Sequence, residues 1–145
     1  MPLYEKVNTD LNFVGREKEI EKFWEENKIF EKSLKIREGC PTYTFYDGPP
    51  TANGKPHIGH VETRAIKDLI PRYRTMKGYD VPRKAGWDTH GLPTELKALK
   101  AIGMDKDKAT PAEIRRQCRE FAMSYVDIQK KEFMRLGVTG DFKDP

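Results

Sequence analysis

The stretch TYTFYDGPPTANGKPHIGH, Thr42–His60, passes from strand-forming residues to a proline- and glycine-rich turn and ends on two histidines. Thr42–Asp47 follows Gly39-Cys40-Pro41 and is rich in β-formers, so a short buried strand is expected there. Gly48–Pro56 then forms a loop, and a helix starts near Ile58. In open α/β sheets, ligands sit beyond the carboxyl ends of strands, where this loop lies. Pro49 and Pro50 restrict φ and stiffen the turn. Asn53-Gly54 is expected to make a tight turn with positive φ. Asp47, at the strand end, can orient the loop by accepting from backbone N–H groups.

His57 and His60 straddle the start of the helix, where unpaired N–H groups and partial positive charge suit a phosphate. Three residues apart, the two imidazoles share a face and can donate to one phosphate group. Gly59 between them lets a flat ring lie close to the backbone. The same spacing suits a metal, but catalytic zinc usually takes three protein ligands. The chain holds one further histidine, His90, so no metal site is expected. Simple caps or packing also suit histidines at a helix start. Their place after a strand and a Pro/Gly loop favours phosphate.

The helix after His57 carries Val61, Ala65, Leu69, Tyr73 and Met76 at helical spacing, which predicts an apolar stripe. Pro71 should kink or divide it, and Gly78 should close it. YDVPRKAG then predicts a second strand, weakened by Pro82. Strand, helix, strand in that order implies a parallel pair with a right-handed crossover. Two strands make a poor sheet and leave an edge for a partner. The expected fold class is therefore α/β, one half of a nucleotide-binding fold.

On the amino-terminal side, GREKEIEKFWEENKIFEKSL predicts an amphipathic helix with Ile20, Phe23, Trp24 and Ile29 on one face. On the other side, a short helix is expected over about 94–102. The run Thr110-Pro111-Ala112-Glu113 has the spacing of a capping box. The helix it opens carries Ile114, Cys118, Phe121, Ala122, Tyr125, Ile128, Phe133 and Leu136 on one face and ends at Gly137.

The chain has 145 residues, 37% of them hydrophobic, and a net charge of +4. Residues 61–84 hold seven basic side chains against three acidic ones, an excess equal to the net charge of the whole chain. That concentration beside the loop suits an anionic partner, and equally a solvated helix face. No apolar run is long enough to span a membrane, and the amino terminus lacks an apolar export signal. Cys40 and Cys118 show no CxxC pattern, so a reducing, cytoplasmic setting is expected.

HIGH after GPPTANGKP resembles the signature of class I aminoacyl-tRNA synthetases, and GPPTANG together with GWDTHGLP (residues 86–93) resembles the isoleucine-specific branch. The similarity runs from NFVGREKEIEKFWEENKIFEKS to FMRLGVTGDFKDP and is strongest over Phe45–Pro93. Thr94 stands where that branch usually has an aliphatic residue. The resemblance implies the amino-terminal half of a Rossmann-like (HUP-type) fold with a short parallel sheet flanked by helices. Residues 1–41 would be a helical extension, and 42–145 the first half of the catalytic domain, ending before an editing insertion. It implies isoleucine, ATP with Mg2+, and tRNA(Ile) as substrates and partners, together with the remainder of a synthetase chain, since the family's KMSKS loop is not found in this sequence.

By the same resemblance, His57 and His60 are catalytic. Thr51, Asn53, His57, Gly59 and His60 bind ATP. Gly48, Pro49, Asp88 and His90 bind the amino acid, with Asp88 taking the ammonium group. For Asp88, a turn-forming role beside Gly86 and Trp87 is the plain alternative. For the whole chain, the alternatives are a small HxGH nucleotidyltransferase and a non-catalytic module that binds ATP or tRNA.

Overall fold

The computed structural model describes Tyr4, Val7, Thr9 and residues 12–145. Part of the expected amino-terminal extension lies outside the described residues. Among those described, the chain forms five helices: α1 (Phe13–Glu26), α2 (Ile29–Lys35), α3 (Ile58–Met76), α4 (Leu92–Ile102) and α5 (Pro111–Arg135).

The expected sheet is reduced to contacts at single points. Three isolated parallel bridges pair Thr42 with Asp80, Thr51 with Asp88, and Lys84 with Asp141. The pairing is parallel, but no continuous ladder forms among the described residues, and Thr42–Asp47 is extended chain without strand assignment. It is also not fully buried. Tyr43 and Phe45 are half-buried while Thr42, Thr44 and Tyr46 are exposed, a period-two pattern with one wet face. Register explains the broken ladder. Nine steps from Thr42 to Thr51 face eight steps from Asp80 to Asp88, so one residue is in excess on the first segment. Pro49, Pro50 and Pro82 also supply no N–H donor between the bridges. The segments part there and leave a cavity of about 480 Å³, bordered by Phe45, Pro49, Arg83, Trp87 and the α3 side chains Arg64 and Asp68.

The helix expected over residues 15–34 is divided. Asn27 caps the end of α1, and Lys28 adopts φ 50°, a left-handed conformation costly for a residue with a Cβ. Ile29 therefore begins α2 instead of extending the α1 face. Trp24 is half-buried near Gly137, with the Arg72 guanidinium 5.2 Å from its ring centre.

α3 runs unbroken through Pro71, and the Thr75 hydroxyl donates to the Pro71 carbonyl at 2.9 Å. Its apolar stripe does not form a core. Ile66 (57% exposed), Leu69 (63%), Tyr73 (51%) and Met76 (72%) face outward, and Ala65 is exposed. The inward face is Arg64, Asp68, Pro71, Arg72 and Thr75. Asp68 holds that face, accepting from Arg72 Nε, from Thr139 N–H at 2.9 Å and from Thr139 Oγ1 at 2.8 Å. The predicted apolar stripe thus faces largely outward and a charged one faces inward. Charged groups turn inward because their partners lie there, in Asp47 and the Thr139 turn.

α4 starts at Leu92 behind Gly91, whose φ of 99° favours glycine. α5 opens on the expected capping box. Glu113 N–H donates to Thr110 Oγ1 at 3.3 Å, and Thr110 N–H donates to Glu113 Oε2 at 2.9 Å. α4 packs on α5 and buries Thr94, Ala98 and Leu99. α5 buries Ala122, Val126, Gln129 and Phe133, at steps of four, three and four residues. Ala52 joins Ala122 and Val126 in a small core flanked by Trp87 and Tyr125, which ties the loop after Pro50 to α5.

Candidate active site

The turn Thr51–Gly54 and the loop Gly86–Gly91 lie side by side, joined by backbone. Ala52 N–H donates to Asp88 O at 2.8 Å, and Asp88 N–H donates to Pro50 O at 3.0 Å. The Asp88 carboxylate stays at the surface, 40% exposed, with Thr51 Oγ1 and His90 N–H each 3.4 Å from one of its oxygens. A carboxylate so placed remains open to a cation. The turn-forming and cation-binding roles are therefore compatible, because the His90 contact is a local Asx-type bond and leaves lone pairs free.

The expected positive φ at Asn53-Gly54 is absent, and neither residue lies in the left-handed region. A side chain shapes this turn instead. Gln129 Nε2 donates to the carbonyls of Thr51 (3.1 Å) and Gly54 (2.8 Å), so the chain does not need a mirror-image turn to satisfy them. Asn53 N–H turns back to Thr51 O at 3.0 Å, and Asn53 Oδ1 accepts from Lys97 Nζ at 3.3 Å.

His57 is the N-cap of α3, with extended backbone (φ −120°, ψ 175°). Its Nδ1 accepts from Gly59 N–H at 3.2 Å, and His57 N–H in turn donates to His60 Nδ1 at 3.2 Å. The cap that was a plain alternative is thus real, and it is reciprocal. It has a chemical consequence. An Nδ1 that accepts a hydrogen bond in a neutral ring leaves the proton on Nε2. Among the described residues neither Nε2 has a partner, so both imidazoles keep a donor for a ligand. The rings lie 4.0 Å apart, centre to centre, tilted by 58°. Burial holds the His60 pKa below its ordinary value of 6.5, helped by His57 and Arg64, so its ring favours the neutral form.

Gly59 has its own reason to lack a side chain. A Cβ there would come within 3.1 Å of His57 Cε1 and 3.2 Å of its Nδ1, crowding the ring that caps the helix. Gly48 and Pro49 are exposed, and the Gly48 carbonyl accepts from Lys67 Nζ at 3.1 Å. Lys67 and Arg64 both pair with Asp47, so the strand-end aspartate binds α3 cations. The His90 side chain is 92% exposed, its Nδ1 3.9 Å from Asp88 Oδ1. Among the described residues no group of three or more His, Cys, Asp or Glu side chains is placed to hold a metal ion.

Gln129 and Lys97 did not emerge from sequence pattern. Gln129 occupies a buried step of α5 where periodicity looks for apolar residues. Its position between Val126 and Phe133 on the helical period was the available signal.

The His57–His60 pair at the α3 N-terminus follows a turn that is bonded to the loop bearing the exposed Asp88 carboxylate. Residues 19–145 match the family model for class I tRNA synthetases (I, L, M and V), and the chain belongs to that family. It is 52% identical over 134 residues to the isoleucine–tRNA ligase of Fervidobacterium pennivorans, covering 92% of this chain and 15% of the relative. It is 48% identical over 147 residues to that of Clostridium kluyveri, covering 99% of this chain and 14% of the relative. Among solved structures it is similar to the LeuRS–tRNA–LeuAMS ternary complex of Agrobacterium radiobacter K84, with a TM-score of 0.66, 25% identity, and coverage of 86% of this chain and 14% of that one. The chain thus spans about one seventh of the length of these relatives, and its fold is that of a class I synthetase catalytic domain, Rossmann-like in type.

Proposed function

We propose that this chain supplies the HIGH half of the active site of an isoleucine–tRNA ligase. In the reaction, an isoleucine carboxylate oxygen attacks the α-phosphorus of ATP. The bond from that phosphorus to the bridging oxygen breaks, releasing pyrophosphate and leaving isoleucyl-adenylate. The acyl group then passes to the 3′ end of tRNA(Ile), and AMP leaves. The observation that carries this reading is the pair of free Nε2–H donors at the α3 N-terminus, fixed by backbone bonds to the opposite nitrogens. Negative charge grows on the α-phosphate oxygens as the new bond forms. Preset donors stabilise that charge without reorganising.

His57 and His60 are the proposed donors. Gly59 keeps the first ring seated, and Thr51 and Asn53 border the ATP. Asp88 takes the isoleucine ammonium group, with Gly48, Pro49 and His90 around the amino acid. Mg2+ would accompany the ATP phosphates. Within the basic stretch 61–84 the exposed Lys77 would meet an anionic phosphate backbone. Residues 42–145 then act as the first half of the catalytic domain, with the isolated parallel bridges extended into a sheet by the remainder of a synthetase chain. The setting is cytoplasmic. No helix among the described residues is long and apolar enough to cross a membrane.

The test is isoleucine-dependent exchange of labelled pyrophosphate into ATP, in the full-length polypeptide that contains this sequence. Exchange that requires isoleucine, and that falls about a hundredfold or more in His60→Ala, is the expected result. Binding of ATP without exchange would favour the non-catalytic module. Exchange with a different acid would favour the small nucleotidyltransferase.

A further inference from the structure

The mechanism above uses side chains on two separate loops, which meet directly at the Thr51–Asp88 bridge and at the 3.4 Å contact of Thr51 Oγ1 with the Asp88 carboxylate. Gln129, in the middle of α5, reaches both. It is 1% exposed and the one polar residue among the four that α5 buries. Its Oε1 accepts from the Trp87 indole N–H at 2.9 Å, and its Nε2 donates to Thr51 O and Gly54 O. Trp87 immediately precedes Asp88. Thr51 and Gly54 are the two ends of the turn that leads to His57.

The chemistry leaves one orientation of the amide. The two carbonyls can only accept and the indole N–H can only donate, so oxygen must face Trp87 and nitrogen must face the turn. Glutamate matches the size but sets a carboxylate oxygen against the carbonyls. Leucine leaves the Trp87 indole N–H and the Gly54 carbonyl unpaired, and leaves Thr51 O with only its bond from Asn53 N–H. Asparagine falls short by one methylene.

We propose that Gln129 is the positioning residue that sets the separation between the nucleotide-binding turn and the amino-acid loop. It touches neither substrate. It acts through Trp87 on Asp88, and through Gly54 on the histidine pair. This rests on the functional reading above. A displacement of about 1 Å between reacting groups costs on the order of a hundredfold in rate. Losing this spacer therefore lowers the rate of the chemical step more than it weakens either substrate alone.

Two measurements test this. In the full-length polypeptide, Gln129→Glu is expected to lower kcat for isoleucine-dependent exchange by about ten- to a hundredfold, with KM for isoleucine and ATP each changed less than about threefold. Combining Gln129→Leu with Trp87→Phe should cost no more than Gln129→Leu alone, because both cut the same link. An unchanged kcat in a folded Gln129→Glu variant overturns the proposal, as does a loss confined to KM. The second measurement needs no turnover. In the full-length polypeptide with selectively labelled Trp, Asn and Gly, Gln129→Glu is expected to shift the NMR signals of the Trp87 indole N–H and of the Asn53 and Gly54 amides together, while the Gly103 amide at the end of α4 stays in place. Movement in one loop without the other overturns the coupling. A wild-type protein without isoleucine-dependent exchange sinks the functional reading instead, and the NMR result still decides the role of Gln129.

Discussion

Thr94 is 1% exposed on the inner side of α4, and its hydroxyl has no hydrogen-bond partner among the described residues. A helical threonine normally bonds a carbonyl one turn back, as Thr75 does to Pro71, but the Thr94 hydroxyl makes no such bond. The aliphatic residue that the family resemblance places at this position makes sense in such a site. Thr94→Val should stabilise the chain by about 1 kcal/mol, seen as a higher urea midpoint with the slope unchanged. His60 gives a pH signature. Its folded-state pKa lies below the ordinary 6.5, so the unfolded chain binds more protons over that interval. The stability it contributes is fully present above 6.5 and is lost as pH falls through the lower folded value. The free energy of unfolding should therefore decline below about pH 6.5, and His60→Gln should flatten that decline. The placement of His57 and His60 at the start of α3 was legible because their spacing and the helix start are written in the sequence. Their tautomer was not, since it depends on which backbone N–H meets which nitrogen. Gln129 was not legible either, because a glutamine on a buried helical step looks like an exception to the period until its three partners are known.

α3 shows what pattern can and cannot settle about an element. The break expected at Pro71 does not divide the helix, whereas its start, its apolar stripe and its glycine stop were readable. The side that faces inward was not, because that choice depends on what the neighbouring segments offer. They offer Asp47 and the Thr139 turn, which match charge and hydrogen bonds. The consequence can be measured. Leu69→Glu on the outward stripe should alter stability by less than about 0.5 kcal/mol in this chain. Asp68→Ala should cost about 2–3 kcal/mol, since it leaves Arg72 and the Thr139 donors without their shared acceptor. Chemical denaturation of both variants separates the cases, and a costly Leu69→Glu would mean that the stripe is covered. The division of α1 from α2 had a similar origin. Asn27-Lys28 carries no glycine or proline, so composition gave no sign of the left-handed turn at Lys28.

Across the molecule, helices and a few backbone bridges join the Thr51–Gly54 turn, which leads into α3, to the Gly86–Gly91 loop. The order of elements and the parallel sense of the pairing followed from the sequence. The continuous sheet did not form, because one excess residue and three prolines interrupt the register between the bridges. The same break opens the cavity beside Pro49. What connects these parts to catalysis is the proposed meeting of phosphate and ammonium at two adjacent loops. The most direct measurement is a crystal structure of the full-length polypeptide containing this sequence, bound to a nonhydrolysable isoleucyl-adenylate mimic. The group replacing the phosphate should lie within about 3 Å of Nε2 of both His57 and His60, with the ammonium nitrogen at similar distance from the Asp88 carboxylate. A mimic bound with either imidazole turned away from that group, or with Asp88 apart from the ammonium, would contradict it.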